Sequence, residues 1–131
     1  MAGRILPTVL VVDDEASLRR TVRRILNRRG GCEVVEADSV KSAISILSTK
    51  QIDVMLLDIT LPDGNGLELL NYVQKEALPT KVIVLTGRLT NYASSEAKYG
   101  GAGGAFDVLP KPVEIEELME AVEKAFSDKD S

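Results

Sequence analysis

No histidine occurs anywhere in the 131 residues. That removes a histidine general base, a histidine metal ligand and a phosphohistidine carrier together. Cysteine is nearly absent too: the single Cys32 excludes an internal disulfide and a cysteine-rich zinc site. It reads as a small packed apolar side chain. No apolar run approaches the ~20 residues of a membrane-spanning helix, and the first residues lack the pattern of a signal peptide. A cytoplasmic soluble domain is the expectation. A strong charge of either sign is also missing. Lys and Arg number 16 against 20 Asp and Glu, a net −4, which gives no general pull toward nucleic acid or membrane.

What is present suffices for one globular domain with a real core: 44% apolar and 27% charged residues. The expected division is a lead-in over 1–7, the domain over 8–126 and a polar, frayed tail over 127–131. The chain is organised around Val54-Met55-Leu56-Leu57-Asp58, where four apolar residues run straight into one carboxylate. Pro62 and Gly64 stop it soon after. So short a run reads as a strand buried on both faces. A carboxylate at its exit sits at the carboxyl end of a sheet, where ligands gather in open α/β folds.

Other segments repeat that pattern. Thr8 to Val12 reads as a strand ending at Asp13-Asp14-Glu15. From Ala16 the spacing turns helical: Leu18, Val22, Ile25 and Leu26 share one face. Arg19, Arg20, Arg23, Arg24 and Arg28 fall largely on the other, a solvated face, and Gly30-Gly31 ends the helix. Cys32 to Ala37 reads as a second strand. Asp38 or Ser39 then caps a helix carrying Val40, Ala43, Ile44 and Leu47. Residues 61–66 are dense in turn formers, with Asp63 shaping the turn. A third helix follows from about Gly66, with Leu67, Leu69, Leu70 and Val73. Lys81 to Leu85 reads as a fourth strand, ending at Thr86-Gly87.

Residues 89–99 give only a weak helical stripe. The four glycines in 100–104 are expected to be the most mobile part. Ala105 to Leu109 reads as a fifth strand, stopped by Pro110-Lys111-Pro112. The last helix places Ile115, Leu118, Met119, Val122, Ala125 and Phe126 on one side, with its glutamates mostly elsewhere. Strict strand–helix alternation implies α/β: a single doubly wound parallel sheet with helices on both faces. Five such units fit the flavodoxin-like order 2-1-3-4-5.

In that order the first and third strands are neighbours, so Asp13, Asp14 and Asp58 converge. Unpaired carboxylates so close repel and raise one another's pKa. A hard divalent cation resolves the conflict, and an oxygen-only site suits Mg²⁺. Thr86 and Lys111, from the remaining strand ends, suit phosphate oxygens. Mg²⁺ and lysine around an aspartate form an arrangement for phosphoryl transfer to that aspartate, with Asp58 in the middle of the sheet as nucleophile.

The segments Val9-Leu10-Val11-Val12-Asp13-Asp14-Glu15, Val54 to Asp58, Leu61-Pro62-Asp63-Gly64-Asn65-Gly66, Val84-Leu85-Thr86-Gly87 and Gly104 to Pro112 resemble the receiver domain of two-component response regulators. The last segment is most similar to receivers of the nitrogen-regulator type. The resemblance spans roughly residues 8–126. It implies that Asp58 accepts a phosphoryl group from a histidine kinase or phosphotransfer protein. It implies that Asp14, Asp58 and the Thr60 backbone carbonyl ligate Mg²⁺, with Asp13 acting mainly through water. It further implies a Lys111 bound to Asp58 at rest, a Thr86 that swings toward the phosphoryl group, and a cis Lys111–Pro112 bond. Thr60 and Arg88 stand where the family tunes phosphoryl lifetime. Kinase docking would use the arginine-rich first helix. The switched face would be that of residues 89–99 and the last strand. Phosphorylation-dependent pairing of two copies is a further option, and direct nucleic-acid binding by this domain is not expected.

Two departures from the family concern output. Val108 stands where an aromatic residue usually rotates inward, and the glycine-rich 100–104 is longer than usual. A phosphohydrolase of the haloacid-dehalogenase type would use similar groups. It needs a second aspartate two residues past the nucleophile, where this chain has Thr60, and an acidic pair after the lysine rather than before it. A pseudo-receiver would lack site residues that are present here. No separate substrate turnover is expected.

Overall fold

The computed structural model describes residues 6–87 and 105–127. The elements are β1 (Thr8–Val12), α1 (Ala16–Arg29), β2 (Glu33–Ala37), α2 (Val40–Thr49) and β3 (Val54–Asp58), then β4 (Thr60–Leu61), β5 (Gly64–Asn65) and α3 (Leu67–Lys75). β6 (Lys81–Thr86), β7 (Asp107–Pro110) and a last helix, here α4 (Ile115–Ser127), complete them. The expectations for 89–99, for the glycines of 100–104 and for Arg88 lie outside the described residues.

One five-stranded sheet runs β2-β1-β3-β6-β7, with every neighbouring pair parallel. This is the expected doubly wound order. All residues of β1 and β3 are buried, as their unbroken apolar runs require of strands covered on both faces. Alternation then divides them. Leu10, Val12, Met55, Leu57, Val82 and Val84 face α2 and α3, through Ala43, Leu47, Leu69 and Val73. Val9, Val11, Val54, Leu56, Ile83 and Leu85 face α1 and α4, through Val22, Leu26, Leu118 and Val122. Each such leucine contributes about 1.5–3 kcal/mol by leaving water.

Local signals set the helix ends. Gly30 takes a positive φ of 72° after α1, and its N–H donates to the Leu26 carbonyl at 3.0 Å. Ser39 rather than Asp38 caps α2: its hydroxyl accepts the Ser42 N–H at 3.1 Å, and the Ser42 hydroxyl accepts the Ser39 N–H at 3.2 Å. Asn65 accepts the Leu67 N–H at 2.9 Å, so α3 starts one residue after Gly66.

Three expectations need correction. Ile115, assigned to the buried stripe of the last helix, is 55% exposed because the first turn of α4 overhangs the core. Arg19 and Arg23 do not belong to a solvated face. Both pair with Glu36 of β2, at 2.9 and 2.7 Å, because α1 packs along that strand. Residues 61–66 are more than a turn: β4 and β5 form a two-stranded antiparallel ribbon.

Asp63 at the tip of that ribbon reaches beyond its own turn. Its carboxylate accepts the Val40 N–H at 2.8 Å and the Lys41 N–H at 3.1 Å, two free donors at the head of α2. Those two bonds hold its pKa below the usual carboxylate range. A depressed folded-state pKa contributes stability above the unfolded value, about 3.9, and loses it as pH falls through the folded value. Asp63→Ala is therefore expected to lower the melting temperature at neutral pH. The gap should narrow only below about pH 4. Melting curves of both proteins from pH 7 to 2.5 check this; a gap unchanged in strong acid would contradict it.

Candidate functional site

Strand register brings the polar groups together. Val12 lies opposite Leu57, so the next residues, Asp13 and Asp58, leave the sheet side by side. Asp58 lies opposite Leu85, and Thr86 follows it at the end of β6. Thr86 lies opposite Pro110, and Lys111 comes next. Proline brings no N–H to the ladder. The Thr86 carbonyl accepts from the Lys111 N–H instead, at 2.9 Å, which seats the lysine over the strand ends. The Lys111–Pro112 bond is cis.

Asp13, Asp14 and Asp58 each bring a carboxylate oxygen within 4.8 Å of the others. Asp13 and Asp58 are buried and Asp14 is exposed, so the cluster opens to solvent on the Asp14 side. Lys111 Nζ stands 2.9 Å from Asp13 Oδ2 and 3.4 Å from Asp58 Oδ2. The family resemblance pairs the resting lysine with Asp58; here the shorter contact is to Asp13. The second oxygen of each buried acid accepts a main-chain N–H. Asp13 Oδ1 takes that of Glu15 at 2.9 Å, and Asp58 Oδ1 that of Thr60 at 3.2 Å. Thr60 is exposed beside the acid cluster, and Thr86 is buried at 3% exposure.

The charges do not balance. Among the described residues, one ammonium faces three carboxyl groups. Burial raises the pKa of Asp58, and the Asp13 charge raises it further, while Lys111 and the Thr60 N–H pull it partly back. Burial opposes the charged form of Lys111, but the bond to Asp13 and the charges of Asp13 and Asp58 outweigh it and raise that pKa. A hard divalent cation fits this donor set: oxygen atoms only, two acids fixed by hydrogen bonds, and an excess of negative charge. The acid cluster can hold such an ion.

Sequence reading missed three contributors. Arg19 Nη1 donates to the Asp13 carbonyl at 2.8 Å. Asp63 ties the loop after Asp58 to α2. Gly66 lies against the Asp58 main chain: a Cβ there would run into the Asp58 carbonyl oxygen and come within 3.0 Å of Ile59 Cα. Only the glycine gave a local signal, and it read as turn chemistry. Beside Lys111, a groove of about 340 Å³ runs between Ser17, Leu18 and Thr21 of α1 and Pro112 and Val113. No helix among the described residues is long and apolar enough to cross a membrane.

Residues 9–123 match the family model of the response regulator receiver domain. The chain is 35% identical over 120 residues to the DNA-binding transcriptional regulator NtrC of Proteus hauseri, covering 91% of this chain and 24% of that protein. It is 36% identical over 117 residues to the response regulator protein PilR of Pseudomonas aeruginosa, covering 88% and 25%. The chain thus spans only about a quarter of the length of these curated relatives. The crystal structure of a CheY-like response regulator receiver domain protein from Methanospirillum hungatei superposes with a TM-score of 0.84 at 27% identity, covering 95% of this chain and 96% of that one. Register, acid cluster and kinship agree: this chain belongs to the response regulator receiver domains, phosphoaccepting signalling modules that catalyse their own phosphorylation and dephosphorylation rather than turn over a separate substrate.

Proposed function

We propose that Asp58 is the phosphoacceptor, that Mg²⁺ is the cation of the site, and that the donor is a histidine kinase or phosphotransfer protein. The observation that carries this reading is the meeting of Asp58 with Asp13, Asp14 and Lys111 at the carboxyl ends of β1, β3 and β7. Asp13, Asp14, Asp58 and the Thr60 carbonyl would hold the ion, Asp13 mainly through water. When bound, Mg²⁺ supplies positive charge that offsets the acids and the transferring phosphoryl oxygens.

The chain's own groups do the rest. A carboxylate oxygen of Asp58 attacks phosphorus as the bond to the donor nitrogen breaks, and that nitrogen keeps the electron pair. The Thr60 N–H already holds Oδ1 and so orients the carboxylate. Lys111 neutralises a phosphoryl oxygen, and the Thr86 hydroxyl donates to another. Val108, half-buried opposite Val84, offers no ring to rotate, so the response of Thr86 is read through main-chain shifts of the neighbouring strand ends. On α1, Arg19 and Arg23 are engaged with Glu36. Docking of the donor protein therefore falls to the exposed Arg20, Arg24 and Arg28 of the same helix.

A small acyl phosphate tests the reading without any partner. Acetyl phosphate with Mg²⁺ is expected to add one phosphoryl group per chain, mapped to Asp58 by mass spectrometry, and EDTA should prevent it. A label on another residue, or labelling indifferent to EDTA, would overturn the assignment. Sustained hydrolysis of varied phosphomonoesters would do the same.

A further inference from the structure

Every polar group of Asp13 is engaged. Its N–H donates to the Ala37 carbonyl at 3.1 Å, Oδ1 accepts from Glu15 and Oδ2 from Lys111. The remaining group, its carbonyl, accepts from Arg19 Nη1 at 2.8 Å. That carbonyl belongs to the peptide joining Asp13 to Asp14, so its direction sets where the Asp14 backbone and carboxylate go. Arg19 can hold it because its other end is fixed: Nε donates to Glu36 Oε1 at 2.9 Å, and the side chain is only 17% exposed. Glu36 is held in turn by Arg23, whose second nitrogen also donates to the Val34 carbonyl at 3.3 Å. Arg23 itself makes no hydrogen bond to Asp13.

We infer that Arg19, braced by Glu36, is a positioning residue that fixes the Asp13–Asp14 peptide and so sets the geometry with which the acid cluster receives its divalent cation. The inference rests on the reading of Asp13, Asp14 and Asp58 as that cation site. Supporting groups of this kind typically change metal affinity by about 10–100-fold when removed. The sign separates positioning from charge. Arg19 is cationic and lies beside the cluster, so deleting it for Coulombic reasons alone would tighten cation binding. Loss of positioning weakens it.

Titration with Mg²⁺ alone, followed by isothermal calorimetry and by melting temperature, tests this on the intact chain. Arg19→Ala and Arg19→Gln are expected to raise the Mg²⁺ dissociation constant about tenfold. Arg19→Lys, which keeps one cationic donor but loses the second nitrogen that Glu36 holds, should recover part of the loss. Arg23→Ala loosens Glu36 but leaves the Arg19 bond to the Asp13 carbonyl in place, so its effect should be about twofold, well below that of Arg19→Ala. If Arg19→Ala does not fold, Arg19→Gln, Arg19→Lys and Glu36→Gln carry the test, with Glu36→Gln expected to weaken Mg²⁺ less than Arg19→Gln. Unchanged or tighter binding in the Arg19 variants would overturn the role of Arg19. So would equal weakening in Arg23→Ala, which would point to the packing of α1 on β2. Failure of the original chain to bind Mg²⁺ would sink the cation-site reading instead.

Discussion

Asp58→Asn is expected to abolish labelling by acetyl phosphate and, in the same protein, to raise the melting temperature by a few degrees at neutral pH in EDTA. The first effect is all-or-none if Asp58 is the nucleophile as proposed, because an amide cannot take the place of an attacking carboxylate. The second follows from the electrostatics. Burial and the Asp13 charge lift the folded-state pKa of Asp58 above its unfolded value. For such an acid the fold favours the protonated form. Its contribution is fully present below the unfolded pKa, about 3.9, and is lost as pH rises through the folded value. At pH 7 the ionised carboxylate therefore costs stability that asparagine does not. The gain should shrink toward zero as pH falls below about 4. Saturating Mg²⁺ should shrink it too, since the ion stabilises the original chain more than the variant. Melting curves with and without Mg²⁺ decide the matter, and a variant less stable than the original chain in EDTA would refute the electrostatic account.

Gly66→Ala is expected to be the most damaging small substitution outside the acids. The backbone of Gly66 is ordinary right-handed helical, φ −56° and ψ −22°, so any residue could adopt it. What forbids a side chain is space. An added Cβ would meet the Asp58 carbonyl, and the Gly66 N–H is already bonded to the Ile59 carbonyl at 2.6 Å. Neither neighbour is a flexible side-chain end, so the backbone around Asp58 must move. Overpacking of this kind costs about 1–3 kcal/mol. A displacement of about 1 Å at a reacting group can cost about a hundredfold in rate. Acetyl phosphate labelling should slow by about that factor. Gly87→Ala serves as the control, because among the described residues a Cβ there meets nothing within 4 Å. Equal labelling rates for Gly66→Ala and the original chain would rule out this role for the glycine.

The fold and the acid cluster were legible because they are written in local patterns. Unbroken apolar runs announced β1 and β3, and each ended on its acid, so sheet order alone made Asp13 and Asp58 neighbours. What the sequence hid depends on partners far along the chain. Arg19 looked like one more solvated arginine because its acceptor Glu36 lies 17 residues away. Asp63 looked like a turn residue because the helix it caps begins 23 residues earlier. Gly66 sat among turn formers, so conformational freedom seemed reason enough for a glycine, whereas a close approach to Asp58 is the cause. Ile115 fitted the helical period, but periodicity cannot say where a helix outruns the surface beneath it.

The two outermost strands carry one more consequence. β2 has Glu33 and Glu36 among its five residues, and β7 is only four residues long, begins with Asp107 and ends on Pro110. Short, acidic or proline-terminated borders make poor templates for an incoming strand from another molecule. Among the described residues, the same parallel scaffold that gathers the acids at one end thus has margins poorly suited to sideways growth.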